Sequence, residues 1–302
     1  MEQNKDAIKI GMSSAKKTIW LGICLFIVGM FMSMFGTGLH FLFIIAAIII
    51  IVYGYKQMDK AKQEYAEVYL MPLIKEVFPE ATFVIRSDSE APALKYTEYR
   101  IYEDDHDRSI TAYLKANDES DFEMFTLQTS HESSDSDGND TTVVSFHGTV
   151  LGYKCATGLN DIVRILCSNN KKILFVKHEF TYASKKCKLT PVKIETGNIE
   201  FDENYEVFAG QMHDAYYLLN PYVMEKLQAL REKYGRYCMA ITEDSIKISF
   251  QKPDLIIELP SLTNDIDENP FANAKKQIED LKTSLNDIAF ALSKHTEEEK
   301  KY

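Results

Sequence analysis

Two apolar stretches near the N-terminus constrain this chain more than any other feature. Residues 18–35 and 39–55 contain no Asp, Glu, Lys or Arg, and only Gly36, Thr37 and Gly38 separate them. At about 1.5 Å of rise per residue, the first stretch gives about 27 Å of helix and the second nearly as much, close to the ~30 Å hydrocarbon core of a bilayer. No A-x-A site follows the first stretch, and a second follows at once, so a cleaved signal peptide is disfavoured. The pattern predicts a transmembrane helical hairpin over residues 18–55, with the lipid bilayer as its partner.

The basic residues that flank the hairpin predict its orientation. Lys16 and Lys17 precede the first span and Lys56, Lys60 and Lys62 follow the second, whereas the connecting turn has no Lys or Arg. Cytoplasmic flanks carry this excess of positive charge. We therefore expect a multi-pass protein with both termini cytoplasmic, in which residues 1–17 form a short cytoplasmic segment.

The spans themselves give little sign of a pore. The one ionisable residue that could mark an ion or proton path is His40, which is expected at the interface beside the turn rather than at the midplane. Small residues share one face of the first span and would let another helix approach closely: Gly22, Gly29, Ser33 and Gly36. That face is expected to pack on the second span or to serve self-association.

Composition bounds the remainder of the chain. Of the 302 residues, roughly 240 follow the hairpin, enough for one large or two small cores. The formal net charge of -11 disfavours nucleic acid as a partner, because nucleic-acid binders present concentrated positive charge. Of five cysteines, four fall in the part that we place in the reducing cytosol, so free thiols are expected.

Periodicity divides the region after the hairpin. Apolar positions three and four apart predict an amphipathic connector helix over residues 56–79, bent or interrupted at Pro72. A period of two then predicts short strands over 82–85, 99–102, 109–114, 122–127 and 142–153. Residues 130–140 are expected to form a polar surface loop, and 161–167 to form a helix-like apolar stretch. The fold class is α+β, with an antiparallel sheet and packed helices over residues 80–260 and a possible sub-boundary near 190.

The second half of that domain has stronger local signals. Strands are predicted over 192–195, 199–201, 205–208, 237–241 and 245–250, with 255–259 as a possible further one, and a first helix over 212–219. Asn220 should cap a second helix that has Pro221 at its first position and ends at Gly235. Together these elements predict a helix pair on a small antiparallel sheet.

Residues 261–302 are predicted to form a C-terminal amphipathic helix and a charged tail. The helix carries an apolar stripe at spacings of three and four: Ile278, Leu281, Leu285, Ile288 and Leu292. The stripe either docks on the chain's own domain or mediates contact with a protein partner or self-association.

Candidate chemical sites are weak, and no catalytic, cofactor-binding or metal-ligating residue is assigned. The acidic positions Asp135, Asp137 and Asp140 fail the EF-hand spacing around Gly138, and residues 103–107 are expected to form a surface turn. Nucleophilic catalysis would pair one of three cysteines with one of two histidines: Cys155, Cys167 or Cys187 with His147 or His178. No phosphate loop, HExxH or GxSxG motif is present.

The chain resembles the uncharacterised bacterial membrane proteins of domain of unknown function 3137. The hairpin followed by a soluble domain, the aromatic-x-Gly segment at Phe146 and Gly148, and above all the spacing of residues 195–250 carry the resemblance. The matching positions in that last stretch are Phe201, Tyr205, Glu206, Val207, Phe208, Ala215, Tyr217, Leu218, Pro221, Met224, Leu227, Leu230 and Gly235. The resemblance implies a bacterial inner membrane location and brings no known catalytic or ligand residues.

Two functions are open on the sequence alone. An anchor combined with missing catalytic signatures favours a membrane-anchored cytoplasmic binding or scaffolding module that is not catalytic. The alternative is a membrane-tethered enzyme that uses a Cys nucleophile and a His base.

Overall fold

The computed structural model describes residues 2–34, 40–87, 89–134, 140–167, 170–173, 176–179, 183–253, 255, 257 and 273–299; the side chains of residues 2–6, 170–179 and 292–299 are outside the description. The chain divides into two compact units, residues 1–73 and residues 74–257 with 273–302. The predictions for residues 135–139, for most of 255–259 and for the Leu292 side chain lie outside the described part of the chain.

The first unit is a helical hairpin of α1 (Glu2–Ser33) and α2 (His40–Tyr65). Glycines let the two helices approach closely. A Cβ atom at Gly22 would lie 2.6 Å from Ile51 Cγ1, and one at Gly54 would lie 2.6 Å from Ile19 Cγ1. Such distances are too short for real carbon atoms, so the small residues at Gly22 and Gly29 pack on α2, the first of the two roles expected of them.

The outward faces of the hairpin are apolar and uncovered. Large side chains remain more than half exposed there, among them Trp20, Leu21, Phe31, Phe41, Leu42, Ile49 and Tyr53. By length and composition, two helical stretches could each cross a membrane, Ala7–Ser33 and His40–Val77. An exposed apolar surface of this kind is what a hydrocarbon solvent would cover.

The second helix continues past the apolar region through a wider turn. A π-helical segment, Ala66–Leu70, separates α2 from α3 (Met71–Val77), and the Met71 N–H donates to the Ala66 carbonyl. Pro72 follows directly and has no N–H to donate. The helix is therefore interrupted at the place where the sequence predicts it, by a π turn rather than a break.

The second unit contains an antiparallel sheet of nine strands. In chain order the strands are β1 (Thr82–Ser87), β2 (Asp107–Lys115), β3 (Glu123–Ser134), β4 (Asp140–Lys154), β5 (Val163–Cys167), β6 (Asn170–Ile173), β7 (Val176–Glu179), β8 (Val192–Ile194), β9 (Tyr205–Ala209), β10 (Tyr237–Ile241) and β11 (Ser245–Phe250). The order across the sheet is β1-β2-β3-β4-β11-β10-β5-β9-β8, and β6 and β7 form a separate hairpin. The α+β class expected from the sequence is confirmed.

The β10–β11 hairpin lies in the middle of this sheet. Strand β11 pairs with β4 and β10 pairs with β5, so strands from both sides of residue 190 belong to one sheet. Strands β5, β9 and β10 are buried at every position. The centre of the sheet is therefore covered on both faces.

Helices and irregular segments cover those faces. In chain order the helices of this unit are α4 (Ala91–Thr97), α5 (Ile199–Asn204), α6 (Met212–Leu218), α7 (Pro221–Tyr234) and α8 (Ala274–Glu299). One face packs a core around Tyr96, Tyr102, Phe125 and Phe146. On the other face, Tyr205 and Tyr237 each donate a hydroxyl hydrogen bond to the Leu227 carbonyl of α7, at 3.1 and 2.9 Å.

The local signals for α7 are confirmed. The Asn220 side chain accepts a hydrogen bond from the Val223 N–H at 3.0 Å, Pro221 opens the helix and Gly235 follows its end with a φ of 88°. The glycine of the aromatic-x-Gly segment also has a structural reason. A Cβ atom at Gly148 would overlap the Phe250 carbonyl oxygen and lie 2.6 Å from Phe146 Cζ.

Four local predictions are wrong. Residues 99–102 form a turn after α4, and residues 130–134 extend β3 rather than starting a loop. The apolar stretch at 161–167 contains β5, because a strand buried on both faces shows no alternation. Residues 199–201 begin α5, since Asn198 accepts a hydrogen bond from the Phe201 N–H at 3.1 Å and caps a helix there.

Candidate functional site

The structure separates two of the three candidate cysteines, Cys155 and Cys167, from His147, the candidate histidine whose side chain is described. Cys155 lies just past the end of β4, eight positions beyond His147 on the same strand, a separation of about 26 Å at strand rise. Cys167 lies on β5, three strands away from β4, which is about 14 Å. Neither pair is within hydrogen-bond reach.

Burial also makes two of the thiols poor nucleophiles. It raises the pKa of Cys155 to about 12 and the pKa of Cys167 to about 11, so both are protonated at neutral pH. Cys187 is partly exposed, and its Sγ lies 3.4 Å from the Glu98 carbonyl oxygen. The His178 side chain lies outside the described residues.

The predicted acidic turn is tied to an arginine. Arg108 makes two hydrogen bonds to Asp104, at 2.8 and 3.0 Å, and a third to Glu90 at 3.0 Å. This fork is a structural ion pair that holds the turn against α4. Within the described residues, no group of three or more His, Cys, Asp or Glu side chains could hold a metal ion.

A Ser, His and Asp cluster lies beside that turn, with the wrong geometry for catalysis. His131 Nδ1 lies 2.8 Å from Asp105 Oδ2 and 3.2 Å from Ser145 Oγ, and Ser145 also donates to Asp105. Hydrogen bonds from Ser145 and His131 lower the pKa of Asp105. In a nucleophilic triad the serine and the aspartate occupy opposite ring nitrogens, whereas here both are at Nδ1.

A cavity of about 810 Å³ in the sheet unit is a concave site that the sequence does not reveal. We call it the basic pocket. Its lining comes from the turn after α4, from the segment before β8 and from β9: Glu98, Arg100, Lys185, Lys186, Cys187, Lys188, Leu189, Thr190, Pro191 and Phe208. The size is within the range of small-molecule sites.

Arg164 lies behind the wall of the basic pocket and is fully buried. Its guanidinium donates to three neutral acceptors, the Arg100 carbonyl at 2.8 Å, the Ser184 carbonyl at 2.6 Å and Thr190 Oγ1 at 3.2 Å. It also lies over the Phe208 ring, 5.8 Å from its centroid. Three of these four neighbours form the pocket or its edge, so Arg164 fixes the shape of the wall.

The positive charge of Arg164 has no carboxylate partner among the described residues. Its Nε is buried without a hydrogen-bond partner there, and burial lowers the pKa of the guanidinium. A buried cation without a paired anion is costly. Because Arg164 contacts Arg100, Thr190 and Phe208 of the lining, its charge contributes to the electrostatic field in the pocket.

The backbone at the pocket is shaped by the same arginine. Arg100, whose carbonyl accepts from Arg164, has a φ of 50°, in the left-handed region that non-glycine residues rarely adopt. The segment before β8 is anchored again where Lys185 pairs with the buried Glu206 at 2.8 Å. The pocket wall is therefore held by specific contacts rather than left as a loose loop.

Three exposed cations of the basic pocket lack a carboxylate partner among the described residues. Arg100, Lys186 and Lys188 make no ion pair with a carboxylate in the described part of the chain, and Glu98 is the one acidic residue of the lining. In a chain with 45 acidic and 34 basic residues, such a cluster is unusual. The pocket is a positive site on an acidic protein.

Comparison with known proteins identifies the family of this region. Residues 144–292 match the family model described as Protein of unknown function (DUF3137). This part of the chain belongs to that family. The matched DUF3137 segment includes most of β4, the central β10–β11 hairpin, Arg164 and most of the basic pocket, so the pocket is built mainly from residues of the matched segment.

One solved structure is similar over most of its length. It is the crystal structure of the mycobacterial trehalose monomycolate transport factor A, TtfA, with 10% sequence identity, 68% of this chain and 88% of that chain covered, and a TM-score of 0.33. A TM-score of this size carries no argument about fold or function. No curated protein matches the chain.

The apolar stripe of the C-terminal helix α8 is covered by other parts of the same chain. Ile278, Leu281, Leu285 and Ile288 are fully buried, and α8 packs against α7. Lys226 and Lys233 of α7 pair with Asp287 and Asp280 of α8, at 3.2 and 2.9 Å. A protein partner or second copy on this stripe stays a prediction, and it would require α8 to leave its place.

Sequence reasoning missed Arg164 and the basic pocket, although two signals were present. Arg164 is a single charge inside the apolar run of β5, where a charge needs a special environment. The second signal is the run Lys185, Lys186, Cys187 and Lys188, a basic cluster in an acidic chain. The two segments meet in space only because β5 and β9 are neighbours.

Proposed function

We propose that this protein is a membrane-anchored, non-catalytic binding module that takes a ligand in the basic pocket. The single observation that carries the proposal is the pocket itself, a concave site with a fixed wall and several convergent polar groups. The proposal places both termini on the cytoplasmic side of the inner membrane, with the hairpin as the anchor. The flanking lysines and the uncovered apolar faces of α1 and α2 support that placement.

The arrangement around the pocket favours binding over chemistry. Cys155 and Cys167 are protonated and distant from His147, and the Ser145 cluster has both partners on one ring nitrogen. Cys187 is the pocket's own thiol, and no described histidine is hydrogen-bonded to it. A rigid wall without a nucleophile and base pair suits a module that recognises and holds a molecule.

Recovery of a bound molecule from the membrane tests the proposal. The full chain is extracted in a neutral maltoside detergent, and small molecules released by denaturation are identified by mass spectrometry. The pocket variant Leu189→Trp fills the cavity from a lining position that is 36% exposed, so folding should be retained. Val143→Trp, at an exposed site on β4, is the matched control.

We expect a molecule that accompanies the wild type and Val143→Trp and is depleted at least fivefold in Leu189→Trp. Equal recovery from all three proteins, or recovery of nothing above an empty-membrane control, would overturn the binding role. Release of the chain from membranes by alkaline carbonate, or activity of a C-terminal reporter on the outer side alone, would overturn the anchor and its orientation.

A further inference from the structure

We propose that the basic pocket recognises a phosphoryl group attached to an apolar portion of its ligand. This inference rests on the proposed function and names the ligand class of that same site. The observations that carry it are the balance of charge in the lining, the buried Arg164 and a lining that combines an exposed rim of cations, Arg100, Lys186 and Lys188, with apolar side chains.

The charge balance favours an anion with more than one negative charge. Arg100, Lys186 and Lys188 contribute three positive charges without carboxylate partners among the described residues, and Glu98 contributes one negative charge. Lys185 adds a fourth cation, although it is paired with Glu206. A phosphate monoester carries about −1.5 to −2 charges at pH 7, whereas a carboxylate carries one. A phosphoryl group is therefore the better complement.

Arg164 explains why the positive charge persists at the wall of the cavity. It is fully buried, donates to two carbonyls and to Thr190, and interacts with the Cys187 thiol, and its Nε has no hydrogen-bond partner in the described part of the chain. A cation so placed is destabilising on its own and is relieved by an anion bound nearby. Since its contacts are to pocket residues, Arg164 acts as a positioning residue: it holds Arg100 and Thr190 where the anion would meet them.

The apolar residues of the pocket indicate the second half of the ligand. Phe208 is almost buried, and Leu189 and Pro191 line the same pocket at exposed positions. These side chains add apolar surface to the lining, which suits a hydrocarbon or aromatic group bonded to the phosphate. A lipid headgroup with its glycerol and acyl region, or a soluble phosphate ester, would present this chemistry.

Direct binding measurements on the full chain in maltoside separate these sources. Calorimetric titrations use phenyl phosphate as the soluble ester, phosphatidic acid in mixed micelles as the lipid, and benzoate as the carboxylate of similar shape. We expect benzoate to bind at least tenfold more weakly than phenyl phosphate. Binding of phenyl phosphate indicates a soluble ester, and binding of phosphatidic acid alone indicates a lipid headgroup.

Neutralisation of the exposed rim is the decisive variant. Arg100→Gln, Lys186→Gln and Lys188→Gln are combined, because these side chains are outside the core and their loss leaves the sheet intact. The control combines Lys75→Gln, Lys252→Gln and Lys276→Gln, three exposed lysines elsewhere in the unit. We expect the rim variant to raise the dissociation constant at least tenfold and the control less than twofold, with a cooperative melting transition retained in both as proof of folding.

Two results would overturn the inference. One is the absence of binding by both phosphate probes, and the other is binding that benzoate matches or that rim neutralisation leaves unchanged. A different result decides the proposed function. If a molecule without a phosphoryl group is recovered with the wild type and lost from Leu189→Trp, the binding role stands and the phosphoryl class is wrong.

Discussion

The α7–α8 face of the central sheet and the basic pocket on the opposite face differ in how their exposed cations are paired. On the α7–α8 face, Lys226 and Lys233 pair with aspartates of α8, and Lys275 pairs with Glu76. On the pocket face, Arg164 is buried among neutral acceptors and the exposed rim cations stay without carboxylate partners in the described residues. A chain with a large excess of acid therefore pairs the lysines of α7 with α8, yet leaves three exposed cations of the pocket without a carboxylate partner among the described residues.

The difference separates stability from binding. Apolar packing and tyrosine hydroxyls hold α7 and α8 to the sheet, and their ion pairs are exposed and worth little. On the pocket face, polar contacts set the geometry of the wall, and unpaired charge is retained at a cost in stability. Such a cost is typical of functional sites. The comparison predicts that substitutions on the α7–α8 face mainly lower stability, whereas substitutions at the basic pocket mainly alter binding.

The largest effect on stability is expected from a substitution on the α7–α8 face. Leu285→Ala removes a fully buried side chain of α8 and leaves a cavity, so we expect the free energy of unfolding to fall by about 3 kcal/mol. Denaturant unfolding of the full chain in maltoside measures it. Phe290→Ala, at a position of α8 that is 56% exposed, should change stability by less than about 0.5 kcal/mol. Equal effects at the two positions would mean that α8 does not pack through this stripe.

A smaller loss is expected from the polar contacts behind the basic pocket. Arg164→Met leaves three acceptors without their donor, which should cost about 2 kcal/mol, reduced by the relief of a buried charge. Arg164→Lys, which keeps one charge and part of the donor set, should fall between. Lys233→Met on α7 is the paired comparison and should cost a few tenths of a kcal/mol, because its ion pair is half-exposed. A stable Arg164→Met protein with intact binding would show that the arginine neither shapes the wall nor attracts the ligand.

The sequence predicts these two faces unequally. Helix α7 and strand β11 can be predicted from the sequence, because caps, proline, glycine and short-range periodicity are local signals. The position of β10 and β11 between β4 and β5 is not, since strand order is decided by long-range pairing that leaves no periodic mark. The sequence of β5 predicts a helix-like stretch because burial on both faces removes the alternation of a half-buried strand.

The basic pocket escaped prediction for the same reason. Arg100, Arg164 and Lys186 are separated by more than twenty residues from one another, and they meet only through sheet order and the hydrogen bonds of one guanidinium. The charges themselves are visible in the sequence, but their lack of partners is a property of the fold.

Thiol reactivity gives a third way to contrast the faces. Cys187 is partly exposed in the basic pocket, whereas burial raises the pKa of Cys167 to about 11 and that of Cys155 to about 12. At pH 7.5 the latter two remain neutral thiols, and raising the pH to 9 stays below both values. We expect an anionic disulfide reagent to modify Cys187 at least tenfold faster than either, as measured by peptide mass spectrometry.

Rim neutralisation adds the control for that experiment. Because the reagent carries carboxylates, the combined Arg100, Lys186 and Lys188 variant should slow modification of Cys187 severalfold, and the slowing should vanish in 1 M salt. The Lys75, Lys252 and Lys276 control should react as the wild type does. Fast modification of Cys167 would instead show that the helix-covered face opens readily.

The smallest effect concerns the cost of keeping the rim charged. Without a bound anion, Arg100, Lys186 and Lys188 repel one another, so their replacement by glutamine should raise the melting temperature by about 1 °C at low salt. The charge-matched Lys75, Lys252 and Lys276 variant removes three cations from an acidic surface and should give no increase. In 1 M salt, where the Debye length is about 3 Å, the two variants should melt together. If the rim variant melts lower than its control at low salt, the rim cations are stabilised by the fold itself, and the contrast between the two faces of the sheet fails.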